Sequence, residues 1–288
     1  MASISMPARP DAQRRITFTP EDAPWLAGGL YAALTVVVGL PLAMIVLWSF
    51  ADGWFPPDLL PQAYTLDHWR QITADRGLAE AALRSLAISA MVTTLSSIIA
   101  LPTAWALARF PFRMKRAVEL FILAPLIVPG LVVAVGIGQL FLRLGLSYTV
   151  TGVVLVQLVG TLPLMIRLLS ASLETIPEDL ILAARSLGAS PLRATVALIL
   201  PLSIPTLLAG GLLTFVDSFQ EFDMTFIVGA PLVETLPVRL FFYLDGSGIR
   251  FTSAAVVSLI LAFPVLVVFV LAGRIMRDDV MASGMGKL

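Results

Sequence analysis

Chemically capable side chains gather in one short run, Asp217-Ser218-Phe219-Gln220-Glu221-Phe222-Asp223. On a helix Asp217 and Glu221 share a face at i and i+4 while Asp223 points elsewhere, so a pocket holding all three requires the helix to end or unwind nearby. An acid at the centre of a bilayer costs about 2.5–3.5 kcal/mol and therefore faces a cavity or a partner; at the water interface it costs little. Both placements stay open for Asp217 and Glu221, and Asp223 is assigned to the interface. Phe219 and Phe222 would offer aromatic faces to an alkylammonium ion, an attraction of about 0.5–2 kcal/mol, while Phe215 is assigned to lipid. Gln157 and Gln139 lie inside apolar segments, where they either hydrogen-bond between helices or line a path. Arg84 and Arg167 stand near segment ends and can snorkel to the interface, so neither is given a substrate role. This chemistry suits the passage of an organic cation rather than the breaking of a bond.

Catalytic patterns are missing. No GxxxxGK[ST] occurs, and the late Gly284-Met285-Gly286-Lys287 lacks both the spacing and the following helix, so ATP, if it drives this protein, binds another subunit. Gly-x-Ser-x-Gly and His-Glu-x-x-His are also absent. With Cys 0 and His68 as the one histidine, thiolate and zinc chemistry are improbable. No catalytic residue, metal or cofactor is assigned. A formal net charge of +0 and the lack of a long basic run give no support to a nucleic-acid partner.

The elements that must position the acid run are set by hydropathy. The chain of 288 residues is 58% hydrophobic and 13% charged, against roughly a quarter charged in a soluble domain. Its mean hydropathy is +0.92. An all-α, polytopic membrane protein follows, with six expected spans at about 26–50, 82–108, 117–142, 149–169, 198–220 and 251–272. The basic cluster Arg109-Phe110-Pro111-Phe112-Arg113-Met114-Lys115-Arg116 marks a cytoplasmic end, as do Arg274 and Arg277, whereas the acidic 51–80 and the mixed 224–250 are expected outside. Residues 1–25, without the apolar core of a signal peptide, form a cytoplasmic tail, 26–273 the membrane domain and 274–288 a second cytoplasmic tail. Pro125, Pro129, Gly130, Gly136 and Gly138 put the third span in the bundle interior, where neighbours can cover freed backbone groups.

Between the fourth and fifth spans lies a polar stretch, about 172–197, that must sit in water. Pro177 followed by Glu178 and Asp179 starts a helix with acids in its first turn. Ala183 and Ala184 leave its backbone approachable, and Gly188 and Pro191 end or bend it. By shape this is a docking helix. Leu182-Ala183-Ala184-Arg185-Ser186-Leu187-Gly188, with Leu198-Ile199-Leu200-Pro201 after nine residues, resembles the EAA loop of the membrane subunits of bacterial ABC importers, the coupling helix of that family. Leu182 stands where the family usually has Glu, and Leu198 where it has Ile. Three further stretches resemble the spermidine/putrescine-type permeases: Leu83-Arg84-Ser85-Leu86, 124–130, and 226–231 leading to Thr235-Leu236-Pro237-Val238-Arg239. Arg84 replaces the Asn of many such relatives.

The resemblance implies a type I ABC importer permease fold, with a core of about five helices and the first span wrapped around a second permease subunit, usually a different chain. It implies cytoplasmic ABC ATPase subunits, an extracytoplasmic substrate-binding protein and a bacterial inner-membrane location with both termini inside. It also implies that Glu178, Ala183, Ala184, Arg185 and Gly188 meet the ATPase. Asp217, Glu221, Phe219, Phe222 and Gln157 are then expected along the path of a small cationic solute such as a polyamine. The competing expectation is a secondary transporter or channel driven by an ion gradient, which the missing inverted repeat disfavours.

Overall fold

The computed structural model describes residues 24–54, 57–245 and 250–285, and most of them are helical. The expected tails, except Pro24, Trp25 and residues 274–285, lie outside this range. Helix α1, Pro24–Phe50, contains Pro41 and forms a separate unit up to Ile45, with Trp25, Val37 and Leu40 well exposed.

From Val46 the chain forms a second unit. Two short strands, β1 (Ala51–Asp52) and β2 (Ala63–Tyr64), pair antiparallel ahead of α2, Asp67–Ala74. Asp75 then accepts a hydrogen bond from the Gly77 amide at 2.9 Å and caps α3, Arg76–Arg109. Helix α3 stops before Pro111, with Phe110 already extended. Its buried residues include Ala81, Ser85, Ile88, Val92, Ser96, Ala100, Ala104 and Leu107, recurring every three or four positions. That stripe of mostly small side chains allows close approach to α6 (Val150–Glu174) and α9 (Leu200–Gln220), the other two helices of the central packing.

Three apolar clusters run along this axis. Ile72, Leu78, Phe219, Leu236, Val256 and Val257 fill the end near Asp75. Ile88, Val92, Val153 and Val156 lie midway. Ala104, Leu107, Met165, Leu169 and Leu173 close the loop end. A Cβ on Gly210 would stand 2.6 Å from the Met165 sulfur, so α9 lies close against α6 there and a larger residue would make the flexible Met165 side chain move.

The expected third span is not one helix. Helices α4 (Lys115–Ile127) and α5 (Gly130–Arg143) are bent by 104° at Val128 and Pro129. Val128 is extended, as the residue before proline prefers, and Pro129 has no N–H to continue the ladder. Among the described residues, five helices are long and apolar enough to cross a membrane, or six if the bent pair counts as one span.

Beyond α6 come the short α7 (Glu178–Ser186) and α8 (Pro191–Ala194), then a π-helical turn at Thr195–Ile199 that leads into α9. The segment 224–250, expected outside, holds α10 (Asp223–Gly229) and α11 (Leu236–Asp245), and α10 buries Met224, Thr225 and Val228. Helix α12, Phe251–Met285, completes the chain described.

Candidate coupling loop and translocation site

Helix α7 begins where proline and acids place its start: Pro177 is the extended N-cap and Glu178 and Asp179 occupy the first turn. It closes through Leu187 N–H to the Ala183 carbonyl at 3.1 Å and Gly188 N–H to that of Arg185 at 3.0 Å. Gly188 has φ +86°, the left-handed conformation that other residues enter only with strain. No residue of α7 is buried. Glu178, Ala183, Arg185 and Gly188 are exposed and Ala184 is half-buried, so the helix stands out from the bundle. Leu182, 55% exposed, lines a cavity of about 310 Å³ with Trp105, Arg109, Phe110 and Glu178.

The acid run is distributed rather than gathered. Helix α9 ends at Gln220 and Glu221 is extended, so the shared i, i+4 face of Asp217 and Glu221 does not form. The Glu221 carboxylate accepts from the Met224 amide at 2.6 Å and from the Thr225 amide and hydroxyl at 2.9 and 2.6 Å, closing the start of α10. Asp223 is exposed. Asp217 is exposed on α9 and, among the described residues, makes neither an ion pair nor a hydrogen bond.

Phe219, expected along the path, is 1% exposed and stacks on Phe215 at 5.8 Å inside the Asp75-end cluster. The need to fill that core decides its direction. Phe222 is half-buried and stacks on Phe226 at 5.2 Å, with Phe241 also 5.2 Å away. Gln157 is 1% exposed and takes the hydrogen-bonding alternative: its amide donates to the Thr225 hydroxyl at 2.8 Å, and its carbonyl accepts from Ser218. Both ends of the side chain are used, so it does not face open space in this conformation. Gln139 is exposed.

Several polar residues do more than their sequence positions announced. Arg109 donates to the carbonyls of Leu173 at 2.8 Å and Ile176 at 2.6 Å. Its charge sits at the C-terminus of α6, where the helix dipole favours a cation. Arg84 donates to the Glu234 carbonyl at 2.9 Å, and Ser85 accepts from the Leu236 amide at 2.8 Å, so Leu83-Arg84-Ser85-Leu86 fastens the entry to α11. Arg239 bridges Glu234 at 2.9 Å and Asp75 at 3.2 Å, and Tyr243 donates to Asp75 at 3.2 Å. Burial would raise the Asp75 carboxyl, but hydrogen bonds from the Gly77 amide, Arg239 and Tyr243, together with the Arg239 charge, hold it below its ordinary value.

The site thus sits on a bundle of membrane-length helices with one bent helix pair and one exposed polar helix, α7. Residues 93–278 match the family model described as binding-protein-dependent transport system inner membrane component, and the chain belongs to that family, the permeases of ABC importers. It is similar to the spermidine/putrescine transport system permease protein PotC of Shigella flexneri, 26% identical over 90% of this chain and 97% of the relative. It is also similar to the galactooligosaccharides transport system permease protein GanQ of Bacillus subtilis, 28% identical over 88% of this chain and 93% of that one. A solved bacterial ABC transporter involved in the import of the acidic polysaccharide alginate shares the fold, with TM-score 0.70 and 17% identity, covering 92% of this chain and 99% of that one. Membership in a binding-protein-dependent family displaces the gradient-driven alternative.

Proposed function

We propose that this chain forms the translocation path of an ABC importer for an organic cation of the polyamine class, coupled through α7 to a separate cytoplasmic ATPase. The single observation that carries the substrate class is Asp217, an unpartnered carboxylate exposed on a membrane-length helix, since such a group is retained where it faces a cavity, a partner or a cation. Support also comes from the likeness to PotC, whose name specifies spermidine and putrescine. Glu221 serves the start of α10 and therefore contributes less. For coupling, support comes from the exposure of Glu178, Ala183, Arg185 and Gly188 on a helix with no fully buried residue. ATP-driven approach of two such helices would rock the bundles and open the path toward a binding protein, by biasing a two-state equilibrium. Both termini are assigned to the cytoplasm, with a second permease chain as partner.

The test is uptake of radiolabelled spermidine or putrescine by the reconstituted importer. Asp217→Asn is expected to lower uptake at least about tenfold, the equivalent of 1.4 kcal/mol, while Glu221→Gln lowers it less. Equal uptake by both variants and the native chain, or no uptake by any while a galactooligosaccharide enters, would overturn the cation assignment.

A further inference from the structure

The entry to α7 is tied to the end of α3 by hydrogen bonds from Arg109. We propose that Arg109 is the positioning residue through which displacement of α7 reaches the helix bundle. The inference rests on the coupled-permease function proposed above and adds to it a residue outside the loop.

Arg109 is the last residue of α3, and one of its terminal nitrogens donates to both Leu173 and Ile176. Leu173 lies on the buried face of α6, at 0% exposure. Ile176 lies between the end of α6 at Glu174 and the Pro177 cap of α7. A single guanidinium thus joins the end of α3, the end of α6 and the entry to α7.

Elsewhere the hold on α7 is light. No residue in Glu178–Ser186 is buried, and Ile181 is its side chain packed on the loop-end cluster. The cavity of about 310 Å³ lined by Trp105, Phe110, Ile181 and Leu182 opens beside it. Apolar contact is non-directional and can slide, whereas charge-assisted hydrogen bonds are short and directional. A tilt imposed on α7 is therefore carried to α3 and α6 by Arg109. Helix α3 has 34 residues, a length of about 50 Å, and begins beside the Asp75–Arg239 pair. Motion at its loop end is delivered to the opposite end of the bundle.

Arg109→Met keeps the apolar stem and removes the donors; Arg109→Lys restores charge and donors. Each chain is reconstituted in lipid with its ATPase, and ATP hydrolysis is measured with and without the purified binding protein encoded beside it. The Met variant should keep its basal rate within about twofold and lose the stimulation by binding protein that the native complex shows, and the Lys variant should recover about half of it or more. Full stimulation in the Met variant would overturn the inference. So would basal and stimulated rates that fall together in both variants, the mark of a structural role only. If no ATPase copurifies with the native chain, the coupled-permease function fails, and this inference with it.

Discussion

Asp75 shows what one carboxylate can hold together. It caps α3 through the Gly77 amide and accepts from Arg239 and Tyr243 of α11. Its folded-state value lies below the ordinary one, so it binds a proton less readily folded than unfolded. Its contribution to stability is therefore complete above about pH 4 and lost as pH falls through the lowered value. The side chains of Arg239 and Asp75 are 28% and 32% exposed, so solvent screens the pair and the effect is modest. Acidification should lower the melting temperature of the purified native chain more steeply than that of Asp75→Asn, and identical slopes would count against the link. The same scale explains why Phe219 and Gln157 turn inward: a large ring fills the core, and the Gln157 carbonyl satisfies the buried Ser218 hydroxyl, which would otherwise cost about 1–3 kcal/mol.

Helix α10 is seated against α6 through an absent side chain. A Cβ on Gly229 would lie 2.7 Å from the Val153 Cγ2 and 3.2 Å from the Val233 Cβ, and neither β-branched neighbour can swing away. Gly229→Ala is expected to destabilise the chain by about 1–3 kcal/mol, read as a lower melting temperature in detergent. An unchanged melting temperature would show that α10 shifts freely. Most helices were legible in the sequence because a membrane demands long apolar runs, and α7 because proline, acids and Gly188 punctuate it. The break between α4 and α5 was only half legible: Pro129 and Gly130 were visible, but both halves are apolar, and hydropathy is blind to a 104° bend. Arg84 and Arg109 were not legible as ties, because their acceptors are backbone carbonyls 150, 64 and 67 residues away, and a carbonyl has no sequence identity. The i, i+4 pairing of Asp217 and Glu221 failed because α9 ends between them.

At the scale of the whole molecule, the unit from Val46 onward has a packed axis of α3, α6 and α9, an ion-paired link at the Asp75 end and an unburied helix at the other. That polarity suits a machine driven from one face. Gly188 is the position where the drive can be tested with least damage to the bundle. A Cβ there meets nothing within 4 Å, so the bulk of Gly188→Trp stays outside the core, and the φ of +86° confines its strain to the end of α7. The deciding measurement is copurification of this chain with the proteins encoded beside it, with and without Gly188→Trp. An ATPase subunit that accompanies the native chain and is lost from the variant, with the variant's melting temperature within a few degrees of native, is the predicted result. An ATPase held equally by both chains would contradict docking through α7.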